Sequence, residues 1–132
     1  MNKGSYILIL KLRKELKVRK PKELTLKPGY YVYIGSAMNS LTGRIKRHLL
    51  KEKKIHWHID QLTTQAKVIG VYAFVGVKIE EKLSKFFETH LEGIKGFGNS
   101  DLKTTANLFY SSSMHEVISL LDKFYEKEGD LL

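Results

Sequence analysis

The side chains able to do chemistry fall into three groups. Arg44 and His48 stand four residues apart in a segment with helical spacing, so a permanent cation and a group that titrates near neutrality share one face. Glu80 opens a second helical pattern and lies in line with Leu83, Phe87 and Leu91, which aims a carboxylate inward, an unusual direction for it. His56, His58 and Asp60 alternate with Trp57 and Ile59; the spacing suggests zinc, yet the ligand set is incomplete, and structural or substrate contacts explain it equally. Each group also has a plain structural reading. Arg44 and His48 fit a solvated basic helix, Glu80 suits a helix N-terminus through the macrodipole, and Trp57 fits a core better than a base-stacking platform. There is no cysteine, which excludes disulfides, thiolate catalysis, thiolate-bound zinc and iron–sulfur clusters and leaves His or oxygen for any metal.

These residues need elements to hold them. Tyr6–Leu10 is a continuous apolar run and reads as a central strand buried on both faces. Leu24–Leu26 alternates, Pro28-Gly29 supplies a turn, and residues 30–34 form a strand ending at Gly35, which together predict a short antiparallel sheet. The charged stretch from Arg13 to Lys22, with Pro21, reads as a solvated loop. Residues 36–40 form a loop, Leu41–Lys51 a helix, about Ile59–Gln65 a second short helix, and Val68–Val75 a third strand with a bulge at Gly70. Glu80–Ile94 carries the clearest helical stripe, Gly96–Asp101 is a loop, Ala106–Tyr110 a strand, and Ser113-Met114-His115-Glu116 a capping box opening a last helix. The expectation is a single domain over residues 1–132 of the α/β (α+β) class, a small central, mostly antiparallel sheet flanked by helices.

Charge points to an anionic partner. The net charge is +9, and it is local: residues 1–60 carry 15 lysines and arginines against 4 acids, a balance of +11, whereas residues 61–132 carry 8 against 10. A face that meets a polyphosphate backbone explains this, although a Lys/Glu-rich surface alone also gives a basic protein. No apolar run is long enough to span a bilayer and the first residues do not form a signal peptide, so no membrane association and a cytoplasmic location are expected.

Gly4-Ser5-Tyr6, Tyr33-Ile34-Gly35, Arg44-x-x-x-His48 and the helix-opening Glu80 resemble the signature of the GIY-YIG nuclease superfamily. The likeness extends to its Uri-type branch through residues 31–37, Arg44-x-x-Arg47-His48, His56-Trp57-His58-Ile59-Asp60 and Gly96-Phe97-Gly98-x-Ser100-Asp101, covering residues 4 to about 112. The chain departs from that pattern in Ser5, where the motif has Ile, in a longer span from Tyr6 to Tyr33, and at Glu81, Leu102 and Thr104, where the branch carries cysteine.

The resemblance implies hydrolysis of phosphodiester bonds in DNA or structured nucleic acid with one divalent cation, Mg²⁺ or Mn²⁺, held by Glu80. That ion needs few protein ligands beyond waters and substrate oxygens. By the same resemblance Tyr6 is the general base, Tyr33 positions water or phosphate, and Arg44 stabilises the transition state. A phenol with a pKa near ~10 is a weak base at neutral pH, so positive charge from Arg44, the metal or Lys11 is expected to lower it, or His48 to shuttle the proton. Tyr6 and Tyr33 also fit ordinary core aromatics with satisfied hydroxyls. Nucleic-acid contacts are expected from Lys11, Lys46, Arg47, His56, His58 and Asn107, with a partner domain or subunit adding specificity. The other reading is a non-catalytic nucleic-acid-binding module on the same fold.

Overall fold

A computed structural model describes residues 1–19, 23–95, 97 and 106–128. The two longest apolar runs of the first forty residues form β1 (Gly4–Leu12) and β4 (Gly29–Ala37), paired antiparallel from Gly4 opposite Ala37 to Leu12 opposite Gly29. Between them β2 (Leu16–Val18) and β3 (Leu24–Leu26) make a two-stranded ribbon. With β5 (Lys67–Val75), β6 (Glu92–Ile94) and β7 (Leu108–Ser111) the main sheet has five antiparallel strands in the order β5-β1-β4-β7-β6. Four helices complete the described α+β fold: α1 (Leu41–Leu49), α2 (Asp60–Thr63), α3 (Glu80–Glu88) and α4 (Met114–Glu128). None of the helices among the described residues is long and apolar enough to cross a membrane.

Alternation along the central strands creates two cores. Tyr6, Leu8 and Leu10 of β1 and Tyr31 and Tyr33 of β4 pack with Val18 and Leu26 of the ribbon, Leu41 of α1 and Leu62 of α2. On the opposite face Ile7, Ile9, Val32 and Ile34 meet Leu83 and Phe87 of α3 and Val117, Leu120 and Phe124 of α4. A central strand buried on both faces is thus what the uninterrupted apolar run of β1 encodes.

Several local expectations change. The segment after Arg13 is not simply a solvated loop: as far as it is described it contains β2, because Leu16 and Val18 alternate and seat with Leu24 and Leu26 on the first core. Pro28-Gly29 accordingly does not close a hairpin between β3 and β4, since β3 pairs with β2. The helix opened by Glu80 ends at Glu88; Thr89 caps it through its hydroxyl on the Phe86 carbonyl (2.8 Å), and Glu92–Ile94 pairs with β7. Gly93 is a poor helix former, and a strand there gives its backbone a partner in β7. The strand expected at Ala106–Tyr110 runs from Leu108 to Ser111, and α2 is shorter than expected. The bulge expected at Gly70 is present, as Ile9 faces Gly70 while Leu10 faces Val68. Ser113 Oγ accepts the Glu116 N–H at 3.2 Å, half of the expected capping box, but the Glu116 carboxylate turns to the Ser111 hydroxyl at 2.5 Å.

Ser5 joins the two faces. Its buried hydroxyl donates to the Val77 carbonyl (3.1 Å) and accepts the Ile79 N–H (2.9 Å), fixing the entry of α3 against β1. Ser5→Ala deletes both bonds and leaves the carbonyl and amide to find other partners, so urea denaturation should show unfolding free energy lowered by about 1–3 kcal/mol.

Candidate functional site

Tyr6, Tyr33, Arg44, His48 and Glu80 all line one cleft of about 410 Å³ at the end of the sheet where β1 begins. Tyr6 pairs with Gly35 across β1 and β4, and its phenol lies over that glycine: a Cβ at Gly35 would stand 2.4 Å from the Tyr6 hydroxyl. From α1, His48 Nε2 meets the Tyr6 hydroxyl at 2.8 Å, and Arg44, one turn earlier, donates to the Ser36 carbonyl at 3.1 Å. The Tyr6 and Tyr33 rings lie 6.4 Å apart, with the His48 ring 5.5 and 5.7 Å from them. Glu80 enters from the first turn of α3 and is only 6% exposed, the inward carboxylate that its place on the helical stripe implies.

Burial governs the titration of this cluster. It pushes the Tyr6 phenol up to about 12, with Arg44 pulling the other way through its charge and a hydrogen bond. Tyr33 is raised further by burial and by the neighbouring Tyr6 and Glu80. His48 is lowered to about 4, first by burial and then by the charge of Lys53, so it is neutral at physiological pH. Burial also raises Glu80, against a hydrogen bond with Ser36 and the charges of Lys78 and Arg44. Arg44 thus lowers the Tyr6 phenol as expected, but burial outweighs it and the net shift is upward. Lys11 does not meet Tyr6: it sits opposite Tyr30, five residues along β1, with its Nζ 5.9 Å from that ring.

The segment between α1 and α2 forms another wall. His56, Trp57 and His58 line the cleft, as does Asn107, whose carbonyl accepts the Ile34 N–H at 2.8 Å. Asp60 does not turn toward the two histidines as a third ligand. Its carboxylate is fully buried, gripped by both terminal nitrogens of Arg47 (2.8 and 2.9 Å) and by the amides of His56 and Trp57 (2.8 and 2.9 Å). Among the described residues there is no group of three or more His, Asp or Glu poised to hold a metal. Arg47 is thus engaged in structure, and Lys46 is exposed on α1 without lining the cleft. Of the Gly96–Asp101 motif only Phe97 is described, buried at the cleft; Gly96, Gly98, Asn99, Ser100 and Asp101, like Leu102 and Thr104, lie outside the described residues. Sequence reasoning missed Ser36, which receives Arg44, and the anchoring role of Asp60, although an acid near two arginines is a readable signal for a buried pair.

Residues 5–129 match the model of a family described as Domain of unknown function DUF123. The chain belongs to that family. No curated protein and no solved structure matches it. The match runs from β1 through α4, so the walls of the cleft and both cores of this DUF123 domain fall inside the family's span.

Two acid transitions follow from the site. His48 is lowered from 6.5 to about 4, so the unfolded chain binds the extra proton between those values and stability falls as pH drops through that window. Asp60 is lowered from 3.8 to about 2: burial opposes this, but the hydrogen bonds from Arg47, Trp57 and His56 prevail, and its contribution is lost between those lower values. Urea unfolding across pH 2–8 should show the upper limb flattened in His48→Gln and the lower limb flattened in Asp60→Asn. An upper limb unchanged in His48→Gln would show that other groups produce it.

Proposed function

We propose that this chain is a metal-dependent endonuclease of the GIY-YIG type, which hydrolyses phosphodiester bonds in DNA or structured nucleic acid. The observation that carries the reading is the buried Tyr6–His48 contact at 2.8 Å in one cleft with Arg44 and Glu80. A phenol raised to about 12 is not an anion at neutral pH, but it can pass a proton. As water attacks phosphorus and the P–O bond to the leaving oxygen breaks, the Tyr6 oxygen takes the water's proton while its own goes to Nε2 of neutral His48, so no free phenolate forms, and the leaving oxygen takes a proton from solvent. Arg44 offers permanently charged planar donors to the phosphoryl oxygens, and Tyr33 orients water or phosphate beside Tyr6.

Glu80 fits a single Mg²⁺ or Mn²⁺: it is a hard oxygen ligand at the cleft, its ionisation is held back by burial, and a nearby cation would favour the charged form. When bound there, the ion would supply Lewis-acid stabilisation of the phosphoryl and leaving oxygens. The +11 balance of residues 1–60 supports a polyanionic substrate.

The test is nicking of supercoiled plasmid and cutting of branched and single-stranded oligonucleotides with Mg²⁺ or Mn²⁺. Glu80→Ala and Tyr6→Phe should each lose at least about 100-fold in rate, the scale of removing one preorganised catalytic group, while binding persists. Full cleavage by Glu80→Ala would refute the assignment. Salt-sensitive binding without strand breaks under either metal would favour the non-catalytic binding module, which the same basic half supports.

A further inference from the structure

Trp57 has the unusual position of an indole packed on two arginines one helical turn apart. Arg44 Cζ lies 4.4 Å and Arg47 Cζ 4.7 Å from its ring. These contacts differ in what else each arginine does. Arg47 is committed to Asp60 and to the Lys54 carbonyl (3.0 Å), so it fastens the segment bearing Trp57 to α1. Asp60 completes the fastening by accepting the Trp57 and His56 amides. Arg44 donates to the Ser36 carbonyl and is hydrogen-bonded to the Tyr6 phenol, and its guanidinium lines the cleft. A long side chain has rotational freedom to lose, and a rigid aromatic face restricts it without occupying the N–H groups a phosphate would use.

We propose that Trp57, fixed in place by the Arg47–Asp60 pair, is the positioning residue that holds the Arg44 guanidinium ready for the phosphoryl group of the substrate. The indole takes no part in proton transfer; it acts through Arg44, and its face is thereby removed from use as a stacking platform for a base. This inference rests on the nuclease reading for its kinetic consequence, but the Trp57–Arg44 pairing itself does not.

Because Trp57 is the only tryptophan, its emission reports that pairing directly. Emission of the wild type and of Arg44→Ala is compared first; a changed wavelength or intensity is expected, and an identical spectrum overturns the proposal. Cleavage is then measured for Trp57→Phe and Trp57→Leu, both checked for folding by thermal denaturation. Phe keeps an aromatic face and should retain most of the activity, whereas Leu fills space without one and should lower kcat by about 10- to 100-fold with KM little changed. In an Arg44→Ala background the Leu substitution should add nothing, because its effect is routed through the missing guanidinium. Equal kcat for the Phe and Leu variants, or a full further loss in the Arg44→Ala background, would also overturn it. If the wild type cuts nothing, the nuclease reading falls and the emission comparison alone decides whether Trp57 holds Arg44.

Discussion

The antiparallel pairing of β1 with β4 is the constraint on which the rest of the molecule depends. Nine residues of each strand are in register, and the period of two along them sends Tyr6, Leu8, Tyr31 and Tyr33 to one core and Ile7, Ile9, Val32 and Ile34 to the other. A slip of β1 by one residue would turn Tyr6 and Leu8 to the other core and move the Tyr6 phenol off Gly35, whose missing side chain leaves it room. The cleft is therefore a consequence of strand register before it is a matter of any one side chain that lines it.

Charge is handled in two opposite ways within a few residues. Around Tyr6, His48 and Glu80 burial dominates and favours the neutral form of each group, in a protein whose net charge is +9. Around Asp60 a fully buried group stays ionised, because four hydrogen bonds from Arg47 and two amides, one on Oδ1 and three on Oδ2, favour its charged form. The first arrangement holds the cleft groups in their neutral forms; the second fastens the wall that bears His56, Trp57 and His58.

The joint at Ser5 links these layers. Tyr6 and Ser5 are adjacent in β1 and so face opposite ways, one into the cleft and the other toward the entry of α3, which carries Glu80. The position at which the chain departs from the Gly-Ile-Tyr pattern is thus the one at which a hydroxyl has backbone groups to bind.

Much of this was legible in the residues themselves. The apolar run of β1, the i, i+4 spacing of Arg44 and His48 and the place of Glu80 on its helical stripe fix which side chains share a face, because backbone periodicity is a local property. The bulge at Gly70 and the serine cap at Ser113 were local for the same reason. Sequence could not decide that Leu16–Val18 and Leu24–Leu26 pair with each other, or that Glu92–Ile94 leaves the helical stripe for the edge of β7, since strand partners are chosen by which free backbone edge and apolar surface are near in space. Nor could it decide the titration of the cleft: Lys11 is close to Tyr6 in the chain but far along the strand, and burial outweighs charge only where the tertiary packing excludes water. Residue types and spacing determined which groups this protein has for chemistry; only the folded arrangement decided which of them meet, and in which protonation state.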